Sequence, residues 1–361
     1  MSTLAVRWEK ALRPWRRANR GAKVLVVVGG VIVAGFVVLA LFGSTFASYD
    51  EAQYCESEIW QPETRACVGD LDLQLEMRGE PSGDHPFGTT AERFDVLSRV
   101  ILGARIAVLV VVFSTVFAMV IGVPLGLISG YRGGRLDRAL VLLMDTIYAF
   151  PSLLLAIMLA FVLRTRLEDW GIEAPFAPAA ISVGTVYIPQ YFRVIRNHTL
   201  SVKQEPYVEA ARSLGAKPRT IMRRYIFFNV VSSIPVLFTL NAADAVLTMA
   251  GLGFLGYGIT FPSAEWGLDI NLALDDVVSG YWWTSFWPGL AITVLVTGLT
   301  LMGEGLNDIL NPLLRVKGYR GKVRRSARDA LRAAGGRGAV EGPAVDADTS
   351  PGPLTSTETD A

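Results

Sequence analysis

The chain has 361 residues, of which 51% are hydrophobic and 19% charged, with 34 basic against 33 acidic side chains. Soluble domains carry about 25% charged residues. With a positive mean hydropathy, this composition argues against a soluble globular protein, and a net charge of +1 gives no sign of a nucleic-acid partner.

In chain order, residues 1–23 are basic and residues 24–46 contain no charge. A helix needs about 20 apolar residues to cross the hydrocarbon core, where its backbone must be satisfied internally. The apolar run exceeds the core of about 7–15 residues typical of a cleaved signal peptide, so 24–46 reads as a first span and signal anchor. The loop 47–96 is acidic and holds the chain's two cysteines, Cys55 and Cys67. In an oxidising exported loop a disulfide between them would brace the segment; two free thiols are the alternative.

The stretch "RFDVLSRVILGARIAVL" places Val96, Val100, Ile101 and Ala104 near one face, with Arg99 and Arg105 elsewhere. That pattern predicts an interfacial helix leading into a second span at 106–130. Further spans are expected at 139–163, with Asp145 its sole charge, and at 174–192, which carries Pro175, Pro178 and Pro189. The last two are expected at 230–254, with Asp244, and at 286–302. The fold class is therefore an all-α integral membrane protein with six transmembrane helices. Pro124, Pro151, Pro189, Pro235 and Pro288 lie within spans and predict kinks.

Lys and Arg are retained on the cytoplasmic side. With the N-terminus inside, segments 1–23, 131–138, 193–229 and 303–361 hold 27 of the 34 basic residues. The topology is N-in, C-in. After the helical core at 97–315, the tail 316–361 is first basic, suited to an anionic leaflet, and then too poor in apolar residues to form a core.

Catalytic signatures are missing. The two histidines, His85 and His198, fall on opposite sides of the membrane, and neither H-E-x-x-H nor G-x-S-x-G occurs. The lone Gly321-Lys322 pair lacks the glycine of a P-loop. No catalytic residue, metal site or ATP site is expected in the chain. Asp145 and Asp244 are costly inside spans and are candidates for contact with a polar substrate or a proton, with a hydrogen bond to a neighbouring helix as the structural alternative. Glu304 and Asp308 sit at the inner edge of the last span, where they can reach water.

The basic loop 197–229 contains "YVEAARSLGAKPRTIMRRY". Tyr207, Val208, Ala211 and Leu214 form one apolar cluster at helical spacing; Ile221, Met222 and Tyr225 form another. Gly215 falls where a left-handed helix cap belongs, and Pro218 suits the first turn of a second helix. Helices shorter than about 12–15 residues are marginal alone, so this hairpin should dock on something: the lipid surface, or a partner protein.

Glu209, Ala210, Ala211 and Gly215 match in order and spacing the E-A-A-x-x-x-G loop of the integral membrane permeases of ATP-binding-cassette importers, which the chain resembles. "HPFGTTAERFDVLSRVILGAR", "GVPLGLISGYRGG", "DTIYAFPSLLLA", "GFLGYGITFPSAEWG" and "FWPGLAI" are similar to landmarks of the dipeptide, oligopeptide and nickel branch. The chain departs from that branch at Arg93-Phe94, at Phe227-Phe228, where a less bent fifth helix is expected, and at Met249, where the branch has a glutamate. The resemblance implies a type I importer permease fold. It makes Tyr207, Val208, Glu209, Ala210, Ala211, Leu214, Gly215 and Ala216 a loop coupling to ATPase subunits. Implied partners are a second permease chain, two ATPases carrying ATP and Mg, an extracytoplasmic substrate-binding protein and membrane lipid. Implied cargo is a dipeptide or oligopeptide, the alternative being nickel or another metal chelate. A proton-coupled secondary transporter and a non-transporting scaffold are readings of other classes.

Overall fold

The computed structural model describes residue 15 and residues 18–48, 60–61, 66–67, 76–169 and 176–310. The tail 316–361 and Cys55 lie outside these residues, and with Cys55 the expected disulfide. Between the first two long helices, β1 (Trp60–Gln61) pairs antiparallel with β2 (Ala66–Cys67).

The long helices are α1 (Arg20–Phe46), α2 (Val96–Arg132), α3 (Gly134–Ala149), α4 (Ser152–Asp169) and α5 (Ala177–Val202). A short α6 (Pro206–Ser213) precedes α7 (Pro218–Phe254). Two small helices, α8 (Trp266–Leu272) and α9 (Leu274–Val278), lead into α10 (Trp283–Leu310). Among the described residues, α1, α2, α7 and α10 are each long and apolar enough to span a membrane.

One expectation is met and one is corrected here. The kink expected at Pro151 is a sharp break in the span expected at 139–163: α3 and α4 meet at 96°. The break falls where Pro151 lacks an N–H and drives the preceding residue out of helical geometry; Phe150 is extended, at φ −78° and ψ 140°. The helix expected to lie along the interface ahead of the second span is instead the first turns of α2 itself. Asp95 caps it, its carboxylate accepting from the Ser98 N–H at 2.8 Å, and Val96 and Arg99 are buried.

The fourth expected span, 174–192, becomes α5, which runs ten residues further and falls short of the apolarity of α1, α2, α7 and α10. Protein side chains surround it, so it has less need to be greasy. Val183, Tyr187, Tyr191, Phe192 and Ile195 are buried in the largest core cluster, with Ala118 of α2 and Val246 of α7.

Small residues let α2 and α5 touch. A Cβ placed on Gly122, Gly126 or Gly130 would lie 2.7–2.8 Å from the carbonyls of Ile188, Phe192 and Arg196 respectively. The contact pairs advance together, so the two helices run parallel. α1 packs antiparallel on α10, with Gly29 opposite Gly298, and Ala22 opposite Gly305. In α7 the start is irregular, a π turn at Ile221–Ile226 and a 3₁₀ turn at Val231–Ser233. The helix nevertheless continues through Phe227-Phe228.

Candidate functional site

The hairpin formed by α6 and the start of α7 is built from local rules. Glu205 is extended at the N-cap position, Pro206 opens α6 with its fixed φ, and Glu209 places negative charge in the first turn. Termination follows the Schellman pattern. The Gly215 N–H donates to Arg212 O at 2.9 Å, and the Ala216 N–H donates to Ala211 O at 3.0 Å. Gly215 adopts φ +77°, which an L side chain resists. Lys217 is then extended and Pro218 starts α7.

Packing divides the predicted coupling residues. Val208 and Ala211 point into the protein, where Val208 belongs to the main core cluster with Ile221 and Ile226. Burying Val208 contributes roughly 1.5–3 kcal/mol. Tyr207, Glu209, Ala210, Leu214 and Gly215 are exposed, Leu214 by 87%, and Ala216 is half-buried. The cluster expected as one docking face therefore splits into a root and a tip.

Polar contacts fix the base of this hairpin. Arg196 of α5 makes a two-pronged pair with Asp137 of α3, Nε to Oδ1 at 2.6 Å and Nη2 to Oδ2 at 2.8 Å. Ser129 of α2 donates to the same carboxylate. Just past α5, the Lys203 ammonium donates to Gly130 O at 2.9 Å. The last turns of α2 and α5 are thereby tied to the residues from which α6 departs.

Asp145 pairs with Arg193 of α5 at 2.8 Å, and that guanidinium also covers the Tyr148 ring at 4.0 Å. Asp244 lies exposed on α7 between Leu240 and Leu247, on a stripe of i, i+4 and i+7. The two carboxylates form no ion pair or hydrogen bond with each other or, for the Asp244 side chain, with any other described residue.

At the opposite end of the bundle, the segments around "HPFGTT" and "PSAEWG" fold together as a cap. Arg99 reaches Asp269 of α8 through Nε at 2.7 Å and Nη2 at 2.5 Å, and also donates to the carbonyls of Pro262 and Ser263 at 2.9 and 3.0 Å. Trp266 Nε1 donates to Val100 O at 3.0 Å and Trp283 Nε1 to Thr89 O at 3.2 Å. Phe87 stacks on Trp287, centroids 3.9 Å apart. Glu265 caps α8, accepting from the Gly267 and Leu268 N–H groups at 2.9 and 2.8 Å. Burial pushes the Glu265 carboxyl up to about 7, against those two donors, and burial also raises Glu92. Sequence reasoning passed over Arg99, Glu265 and Asp269. The usable signal was Glu265 directly ahead of a short helical run, the position of an N-cap.

These features define a polytopic helical membrane subunit with a rooted, apolar-tipped hairpin at its basic end and an ion-paired cap at the other. The chain belongs to the family described as "Binding-protein-dependent transport system inner membrane component", which matches residues 122–316, and within it to the peptide and nickel branch of the importer permeases. The glutathione transport system permease protein GsiD of Pectobacterium atrosepticum is 32% identical over 318 residues, 87% of this chain and 97% of that protein. The dipeptide transport system permease protein DppC of Alkalihalophilus pseudofirmus is 32% identical over 307 residues, 84% of this chain and 92% of its own length. GsiD of Escherichia coli O157:H7 is 34% identical over 301 residues, 83% of this chain and 90% of that protein. Among solved structures, an inward-facing MetNI methionine ABC transporter chain aligns with a TM-score of 0.42 at 18% identity, over 56% of this chain and 97% of that one. The protein is a multi-pass transport subunit of the membrane.

Proposed function

We propose that this chain is a permease subunit of an ATP-driven importer of dipeptides or oligopeptides. It lines half of the translocation path and pairs with a different permease chain. Two ATPase subunits, which carry the ATP and Mg, seat the exposed tip of α6, and an extracytoplasmic binding protein delivers the peptide. The chain itself binds no cofactor and performs no covalent chemistry.

The observation that carries this reading is the divided α6: Val208 and Ala211 root it, while Tyr207, Glu209, Ala210 and Leu214 are left for a partner. The relatives named for glutathione and dipeptide transport support the cargo class. Asp244 is the candidate pathway carboxylate, since Asp145 is engaged by Arg193. ATP drives the cycle to the extent that it binds one state of the assembly better than the other.

Crosslinking followed by gentle purification and mass spectrometry tests it. Two ATPases, a second permease chain and short peptides released from a binding protein are expected. A metal chelate in place of peptides would move the cargo, and uptake driven by a proton gradient with no ATPase recovered would overturn the mechanism.

A further inference from the structure

At the cap end of the bundle, α1 and α2 touch where Gly43 meets Ile101; a Cβ on Gly43 would lie 3.3 Å from that side chain. Beside this contact the two helices leave a groove of about 420 Å³. Its walls are helical stripes, with Val37, Ala40, Leu41 and Ser44 from α1 facing Leu102 and Leu109 from α2. All but Ser44 are apolar, and one cation stands among them, Arg105.

Arg105 is exposed, and it makes no ion pair or hydrogen bond among the described residues. It sits one residue before the uncharged run 106–130, so its Cα lies at the edge of the hydrocarbon core, where a guanidinium reaches the headgroup layer. A guanidinium fork matches a phosphate diester better than a point charge does. Apart from Ser44, the rest of the groove offers only hydrocarbon side chains. A group that fills both has an anionic phosphate at one end and an alkyl chain at the other.

We infer that this groove is a binding site for one anionic phospholipid, its phosphate on Arg105 and an acyl chain laid between α1 and α2. A zwitterionic lipid would bring an ammonium beside an unpaired guanidinium, which disfavours it. Close packing by another protein helix is also a poor match here. Of the small residues of α1 at the groove, Ala40 and Gly43 are already buried within the chain and Ser44 is exposed; beside it the outward face is Val37, Val38, Leu41 and Phe42. Helix pairs in membranes associate through small residues.

The test uses the full chain, purified with its complex in detergent, stripped of lipid and titrated with dioleoylphosphatidylglycerol or dioleoylphosphatidylcholine under native mass spectrometry. One retained phosphatidylglycerol per chain is expected, at least tenfold tighter than phosphatidylcholine. Arg105→Gln should weaken it at least fivefold and erase the headgroup preference. Leu109→Trp, which fills the groove and leaves the charge, should displace the same lipid. Equal retention of phosphatidylglycerol by wild type and Arg105→Gln would overturn the site. A photocrosslinker at Val37 that captures the second permease chain in place of lipid would also overturn it. Both readouts are independent of transport and of the cargo.

Discussion

Arg99 and Asp269, 170 positions apart in sequence, meet in a buried pair in which two guanidinium nitrogens converge on one carboxylate oxygen at 2.7 and 2.5 Å. Each side chain is about nineteen-twentieths buried, and Arg99 also satisfies two backbone carbonyls. The pair therefore closes α8 and the segment before it onto the first turn of α2. Removing one partner of such a pair leaves an uncompensated buried charge and costs about 3–5 kcal/mol. Arg99→Ala should lower the unfolding midpoint in detergent markedly, while Arg99→Lys, which keeps the charge and loses the fork, should fall between. An unchanged midpoint for Arg99→Ala would show that the pair does not hold the cap.

Glu265 makes cap stability depend on pH. Burial raises its carboxyl from an ordinary 4.5 to about 7, so the folded cap binds this proton more tightly than the unfolded chain does. By linkage the stabilisation is complete below about pH 4.5, and it is lost as pH rises through 7. The difference is on the order of 3 kcal/mol. Melting curves between pH 5 and 8 should show the midpoint falling with pH. Glu265→Gln, neutral throughout, should flatten the profile.

Gly215→Val isolates the hairpin bend. A Cβ at this position would meet nothing within 4 Å, so the substitution is not a packing defect. Its effect comes from φ +77°, costing about 1–2 kcal/mol for an L residue and more for a β-branched one. Expression should persist while uptake falls at least tenfold, and Gly215→Asn should be milder. Full uptake by a well-expressed Gly215→Val chain would remove the bend from the coupling mechanism.

The tip and the root of α6 should respond differently. Glu209→Lys and Leu214→Asp alter exposed side chains, so they should reduce co-purification of the ATPase several-fold with the melting midpoint unchanged. Val208→Asp buries a charge and should destabilise the chain itself. If the tip variants retain the ATPase at wild-type levels, the partner docks elsewhere.

Gly126→Leu places a side chain where the Phe192 carbonyl lies 2.7 Å from the Cβ position. The chain should fail to accumulate in the membrane, or accumulate with a large loss of thermal stability, whereas the same change at Gly21, with nothing within 4 Å, should be silent.

The hairpin was readable from its punctuation, because a glycine at a left-handed cap and a proline at a first turn act locally whatever lies around them. Periodicity found the apolar cluster of α6 but not its division, since Tyr207 and Leu214 share its apolar character and differ only in what the tertiary fold places behind them. Hydropathy located α1, α2, α7 and α10. Hydropathy alone ran through Phe150-Pro151, because a windowed average ignores one missing N–H; the proline itself marked the kink, though not its 96°. Hydropathy also set the end of α5 too early, at the first arginine, where Arg193 and Arg196 continue the helix by pairing with Asp145 and Asp137. The Arg99–Asp269 contact left no trace in local spacing, as nothing at position 99 encodes what stands 170 residues later.

The glycine seam between α2 and α5 has a mechanical consequence. At 1.5 Å per residue, the 37 residues of α2 make a beam about 55 Å long. One end is pinned in the cap by Arg99, and the other is pinned by Lys203 to the root of the hairpin. With α5 fused along its flank, the beam resists bending and transmits tilt. A tilt of about 10° in such a beam would carry one end about 10 Å relative to the other, so a tilt imparted at the root of α6 would reach the cap as a displacement of that order.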